Sequence, residues 1–229
     1  MTPASDRTPN VYDNVVACTL RGRRTSDAIE IVLTETEISV AVLDVRAARD
    51  QEELRLALAL RAREALVGHQ PFHLLATELH RMVCKAVAAS VGLAALRISH
   101  AEAKVELMNA GMPPVACALP DGRLLHLPPL SGDIGPRSQK AHPYELIPLA
   151  RGSIWFVTTD GATGGSLEYS GELWSALGLP ASAADLAQET SDGLSGRLNA
   201  GLGGLGMPED ASLVVVPTRR EPRHQSGFE

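Results

Sequence analysis

The strongest constraint on this chain is the point where its hydrophobic period changes. Up to Val45 the apolar residues come in short runs rich in β-branched side chains: VVACTL from Val15, IEIVLT from Ile29 and ISVAVLDV from Ile38. Each run turns polar at its ends, as hairpin-connected strands do. From Asp50 to Val67, in DQEELRLALALRAREALV, leucines and alanines recur three and four residues apart. That spacing predicts a helix with Asp50 as N-cap, Glu52 and Glu53 in its first turn and Gly68 after its end. A second helix is predicted from Pro71 to about Ser90, with Leu74, Leu75, Leu79, Met82 and Val83 on one side. Strands resume after Gly92 in LAALRIS, AKVELMNAG, PVACALP, RLLHLPP, YELIPL and SIWFVTT. LPDGR, Leu119 to Arg123, supplies an Asp-Gly hairpin turn. Past Asp160 the chain reads as helical and glycine-rich, and a last strand, ASLVVVP, opens at Ala211. This order is an antiparallel α+β pattern; it lacks the strict alternation of a doubly wound sheet.

At 229 residues and 45% hydrophobic content the chain has the material for one domain with a sizeable core. Residues 1–10 and 218–229 read as flexible ends, which leaves 11–217 as the folded domain. A net charge of -6 and an aromatic content of 3% argue against nucleic acid as the ligand, since phosphate neutralisation needs a basic face and base stacking needs rings. Cys18, Cys84 and Cys117 are widely spaced and odd in number, so no disulfide framework is implied. The first ten residues hold no apolar run, and the longest apolar stretch, Ala86 to Leu96, is too short to span a bilayer. The expected location is the cytoplasm, with no membrane partner.

Acidic residues stand at or beside several strand ends. Asp27 precedes IEIV, Asp44 closes ISVAVL, Asp160 closes SIWFVTT, and Glu209 and Asp210 precede ASLVVV. Strand ends from distant parts of a chain converge at one rim of an antiparallel sheet. Carboxylates gathered there repel one another unless a cation lies between them. Oxygen donors of this kind suit a hard divalent ion, Mg²⁺ or Mn²⁺. Two such ions about 3.5–4 Å apart would hold a phosphate and activate a water. The plain alternative is that aspartate is common wherever strands become turns. Arg21 and Arg23 are two apart, a few positions before Asp27, and are candidates for binding phosphate or for a solvated basic sheet edge.

Other motifs carry less. GLGGLG, Gly201 to Gly206, has a dinucleotide-loop spelling but follows no strand and opens no long helix. His80 and Cys84 are one helical turn apart, without a second pair to complete a metal site. Neither a nucleophile elbow nor a Walker A lysine is present.

NAGMPP (Asn109 to Pro114), PDGRLLHLPP, SGDIGP (Ser131 to Pro136), YELIPLARGSIWFVTTDGA (Tyr144 to Ala162) and EDASLVVV follow in that order. In order and approximate spacing they resemble the bacterial SpoIIE-like phosphatases. These are a branch of the metal-dependent type-2C protein phosphatases that acts on partner-switching regulators. The chain is most similar to the stand-alone stressosome phosphatases of that branch. The likeness is good from Gly92 to Pro217 and thinner before it. Asp27 in SDAIEIV and Asp44 in LDVRAAR stand where the family places its first two aspartates. Ser26 and Leu43 replace the glycines that precede them there, and Ala47-Ala48-Arg49 replaces a Gly-His-Gly.

The resemblance implies a four-layer αββα sandwich of two antiparallel sheets flanked by helices, with metals at one rim. It implies hydrolysis of phosphoserine or phosphothreonine with two Mn²⁺ or Mg²⁺ ions. In that scheme Asp44 bridges both ions and the backbone carbonyl of Val45 ligates. Asp160 and Glu209 complete one ion's shell, with Asp210 as the neighbour able to replace Glu209, and Asp27 acts through coordinated water. The implied partner is a phosphorylated regulatory protein, a STAS-type anti-sigma-factor antagonist or a stressosome component. The eroded glycine framing leaves a second reading open, in which the fold is kept as a binding module without metals.

Overall fold

Period-two alternation inside the strands builds this architecture. The computed structural model describes residues 15–20, 26–48, 51–86, 88–138, 141–162, 174–175, 177–179, 181, 183–201 and 210–218. The strands are β1 (Val16–Leu20), β2 (Asp27–Leu33), β3 (Glu37–Arg46), β4 (Ser90–Ser99), β5 (Lys104–Ala110), β6 (Val115–Ala118), β7 (Leu124–Leu127), β8 (Glu145–Pro148), β9 (Ile154–Thr158) and β10 (Ala211–Pro217). The helices are α1 (Gln51–Val67), α2 (Phe72–Val83), α3 (Ala183–Leu186) and α4 (Ser191–Gly201), with a 3-10 turn at Asp160–Ala162. One sheet has the order β2-β3-β4-β5-β8 and the other β1-β10-β9-β6-β7, and neighbouring strands run antiparallel.

Strand β3 shows how the layers arise. Its Ala41, Leu43 and Val45 pack with Leu58, Ala62 and Leu66 of α1 and with Leu75 and Leu79 of α2. Its Ile38, Val40 and Val42 face the other way, onto Trp155, Val157, Val214 and Val216 of the second sheet. On the far side of that sheet Phe156, Leu213 and Val215 pack with Leu186, Leu194, Leu198 and Trp174. Trp155 and Phe156 are consecutive and both buried, one on each face of β9. The result is helix, sheet, sheet, helix, as the resemblance implies. No described helix is long and apolar enough to cross a membrane.

The elements fall close to their predicted ranges, with one clear difference. The second helix, predicted to reach Ser90, ends at Val83. Cys84 and Lys85 form a turn, Ala88 adopts a φ of 48°, and Ser90 already belongs to β4. Tertiary pairing overrides local helix propensity here, because Ser90, Val91 and Leu93 lie opposite Arg46, Val45 and Leu43 in the sheet. The predicted N-cap Asp50, the remainder of the glycine motif at 202–206 and both chain ends lie outside the described residues. Cys84 and His80 do meet, Sγ to Nε2 at 3.4 Å.

The space between the sheets is filled by hydrocarbon with little room to relax. Leu96 is 1% exposed there. Leu96→Ala should cost about 2–5 kcal/mol of stability, the range for deleting a buried leucine side chain. Urea unfolding monitored by circular dichroism measures this, and a loss under about 1 kcal/mol would contradict tight inter-sheet packing.

Candidate functional site

Followed to the strand ends, the alternation that buries apolar residues between the sheets turns polar at one rim. On β3 the face that carries Ile38, Val40 and Val42 continues into Asp44 and Arg46. On β2 the face of Ile31 and Ile29 leads back to Asp27. On β10 the face of Val216 and Val214 leads back to Ser212 and Asp210. After β9 the face of Trp155 and Val157 leads to Thr159, whose N–H donates to the carbonyl of Ser212 at 3.2 Å. Both sheets therefore send polar side chains to the same end of one apolar slab.

Asp27 and Asp44 face each other directly in the β2–β3 register. The replaced glycines do not displace them. Leu43 points away, into the core under α1, and the Ser26 hydroxyl donates to Asp27 Oδ1 at 3.2 Å. Asp27 Oδ2 accepts two more hydroxyls, from Thr159 and Ser212, each at 2.7 Å. Thr159 Oγ1 in turn accepts the N–H of Ser212 at 2.9 Å. With its own proton given to Asp27, the Ser212 hydroxyl accepts from Thr19 Oγ1 at 2.9 Å. Burial pushes the Asp27 carboxyl up to about 7; these hydroxyls pull the other way, and the charges of Asp44 and Asp210 push it further up.

The fully buried Asp44 meets a different partner. Arg46, two residues on and on the same face, reaches back with Nε at 2.8 Å and Nη2 at 2.6 Å from Asp44 Oδ2. The same Nη2 lies 2.5 Å from Asp160 Oδ2, and Nη1 lies 2.7 Å from Asp133 Oδ2. One guanidinium thus gathers three carboxylates. Burial works against its charge, but Asp44, Asp160 and Asp133 outweigh that and hold it above its ordinary value.

Close backbone approach at two glycines delivers the outer acids. A Cβ on Gly161 would lie 1.9 Å from the carbonyl oxygen of Asp210, so only glycine lets the turn after Asp160 lie against the start of β10. Gly111 has a φ of +69°, and a Cβ there would meet Asp133. Its N–H donates to the Ser131 carbonyl at 2.8 Å, while Ile134 and Val91 exchange backbone hydrogen bonds at 2.9 and 2.8 Å. These contacts clamp the SGDI loop onto the ends of β4 and β5 and place Asp133 at the rim.

Of the candidates named from the sequence, Asp27, Asp44, Asp160 and Asp210 are thus drawn to one rim. Val45 follows Asp44, and its carbonyl accepts from Gln51 Nε2 at 2.7 Å, which leaves a second lone pair. Glu209, Arg21 and Arg23 lie outside the described residues. Arg46 and Asp133 were not singled out. Arg46 shares the side-chain parity of Asp44 and was legible on that ground. Asp133 lies 87 residues from Arg46 and carries no local signal of the pairing.

The donors at the rim are anionic oxygens, a set that fits a hard divalent ion in kind. Among the described residues, no three His, Cys, Asp or Glu side chains stand placed to enclose an ion as they are. The point that Asp44 and Asp160 share is held by the Arg46 guanidinium. Beside it opens a cavity of ≈ 950 Å³, lined by Ser90, Ser131, Asp133, Arg137, Ser138 and His142 among others. The buried His142 faces Ser131 there, Nδ1 to Oγ at 2.9 Å.

The sequence pattern of the family described as Stage II sporulation protein E (SpoIIE) matches residues 45–219. No curated protein sequence matches the chain. Among solved structures the fold is similar to the RsbU and RsbW domains of a Mycobacterium tuberculosis protein, at 18% identity and a TM-score of 0.71. That match covers 90% of this chain and 59% of the other, so this chain spans less than two thirds of that relative. RsbX in complex with magnesium is similar at 14% identity and a TM-score of 0.66, over 89% of this chain and 94% of RsbX. The catalytic domain of the serine threonine phosphatase PstP, in complex with two manganese ions, is similar at 13% identity and a TM-score of 0.62, over 90% and 98% of the two chains. At these identities the structural likeness is one of fold.

The raised proton affinity of Asp27 has a consequence for the metal-free protein. A carboxyl whose folded value lies above its unfolded value contributes stability below the unfolded value and loses it as pH rises through the folded one. From the unfolded 3.8 to a folded value of about 7, that loss falls mainly between pH 5 and 8. In EDTA, wild type should lose about 2–3 kcal/mol more than Asp27→Asn over that interval. Chemical unfolding of both proteins at each pH measures the difference; parallel curves would contradict a protonatable buried Asp27.

Proposed function

The chain belongs to the SpoIIE family of PP2C-fold protein phosphatases, and on that footing we propose that it dephosphorylates serine or threonine on a regulatory protein with two divalent ions, Mn²⁺ or Mg²⁺, at the rim between its sheets. The observation that supports this most is the register that sets Asp27 against Asp44, with Asp160 and Asp210 brought to the same rim from the other sheet. In this reading Asp44, Asp160 and Glu209 or Asp210 would hold the ions, the Val45 carbonyl would add a neutral oxygen, and Asp27 would act through a bound water. Bound ions would supply positive charge for the phosphate oxygens and a water of lowered pKa.

The rest is done by the chain. The buried end of β3 fixes Asp44, while Thr159 and Ser212 orient Asp27. The cavity beside Asp133 gives room for residues flanking the phosphorylated side chain. Arg21 and Arg23 are the candidates to steady the phosphate itself. The phosphatase domain in this reading is residues 11–217. As substrate we take a STAS-type anti-sigma-factor antagonist or a stressosome component. The likeness to RsbU and RsbX folds supports that choice.

One observation favours a second reading, a docking module that keeps the fold and binds a phosphoprotein without turnover. It is the guanidinium of Arg46 between the carboxylates. Hydrolysis of a phosphoserine peptide with Mn²⁺, Mg²⁺ or EDTA separates the two. The phosphatase reading expects turnover that needs metal and falls at least about 100-fold in Asp160→Asn, as loss of a ligand to a catalytic ion should cause. Folded protein that releases no phosphate from two different phosphopeptides at saturating Mn²⁺ would favour the docking module.

A further inference from the structure

We propose that Arg46 is a tethered cation that occupies the ion position between Asp44 and Asp160, so that a metal binds only by displacing it. The proposal rests on the metal-dependent reading above and adds a device to it. One nitrogen, Nη2, lies 2.6 Å from Asp44 Oδ2 and 2.5 Å from Asp160 Oδ2. A magnesium ion needs such oxygens at about 2.0–2.1 Å. The two cations cannot share the same pair of oxygens, and their charges repel at that distance.

The tether is built to let go. Arg46 is the last residue of β3, and its side chain is 36% exposed, so it turns outward without opening the core. Its other end is secured at the mouth of the site, where Nη1 binds Asp133 Oδ2 at 2.7 Å. Besides this pair, the Asp133 carboxylate meets the Ser90 hydroxyl at 3.4 Å, and its backbone is fixed by the clamped SGDI loop. Asp133 is thus the post on which the guanidinium hangs, while Asp44 and Asp160 are what it blocks. Arg46 holds the carboxylates together when no ion is present and competes when one arrives. The two effects have opposite signs, which a merely structural arginine would not give.

The test uses the full chain, stripped with EDTA, as wild type, Arg46→Gln, Arg46→Lys and Asp133→Asn. Mn²⁺ binding is followed by the electron paramagnetic resonance signal of the free ion, and thermal unfolding is recorded with and without Mn²⁺. Arg46→Gln removes a competitor held by charge-assisted hydrogen bonds, so it should bind Mn²⁺ at least about tenfold more tightly. The same variant should melt lower than wild type without metal. Arg46→Lys keeps a tethered cation and should stay near wild type in affinity. Asp133→Asn should tighten binding in the same direction by a smaller factor, and it carries the test if Arg46→Gln does not fold. Equal or weaker Mn²⁺ binding in Arg46→Gln, with measurable binding in wild type, overturns the tethered cation and leaves the phosphatase reading standing. No Mn²⁺ binding by wild type or by any variant overturns both.

Discussion

Carboxylates crowded at one end of a β-sandwich repel one another, and the organisation of this rim is a set of responses to that repulsion. Asp27 responds with hydrogen bonds from Ser26, Thr159 and Ser212 and with a heightened hold on its proton. Asp44, Asp160 and Asp133 respond with one shared guanidinium. The two solutions are adjacent yet chemically separate. Hydroxyls orient a carboxylate without neutralising it, whereas the arginine brings charge. A divalent ion would offer a third solution to the same problem, and it would need the place that the arginine holds.

The positions of these groups depend on the apolar slab beneath them. Asp27, Asp44 and Arg46 come from one sheet; Thr159, Asp160, Asp210 and Ser212 come from the other or from its connecting turn. Hydrogen bonds of 2.5–2.7 Å cross between the two sets. Such distances survive only if the sheets do not slide. The interdigitated Val40, Val42, Leu96, Trp155, Val157 and Val214 prevent sliding, since a close-packed interior transmits a shift instead of absorbing it. Core packing and site geometry are in this sense one requirement.

Much of this was legible in the residues. The apolar, β-branched run ISVAVLDV gives the strand, and the acids at the strand ends of ISVAVLDV and IEIVLT give a shared rim; that both faces of the strand are buried belongs to the folded chain. The glycine after Asp160 was visible, although its reason, the Asp210 carbonyl against it, belongs to the folded chain. The end of α2 lies earlier than local propensity suggests, because the pairing of β4 with β3 begins at Ser90 and the chain must turn out of the helix before it. Asp133 was missed for a related cause. Its role arises from a clamp between strands distant in sequence, and no local pattern encodes such a meeting. Arg46 has readable parity with Asp44, but two of the carboxylates it binds, Asp133 and Asp160, lie 87 and 114 residues away and come to it only in the fold.

The sheet order also bears on how the protein is made. β10 inserts between β1 and β9, and it carries Ser212 with Asp210 just ahead of it. A ribosome that has released everything up to Asp160 has delivered Asp27, Asp44, Arg46 and Asp133, but the Ser212 hydroxyl that Asp27 accepts and the strand that joins β1 to β9 are still missing. Assembly of the rim is therefore coupled to closure of that sheet, by the pairing of Leu213 with Thr158 and by that of Thr19 with Ser212, which spans most of the sequence. Until β10 is in place the rim lacks Ser212 and Asp210, so the centre is completed together with the fold.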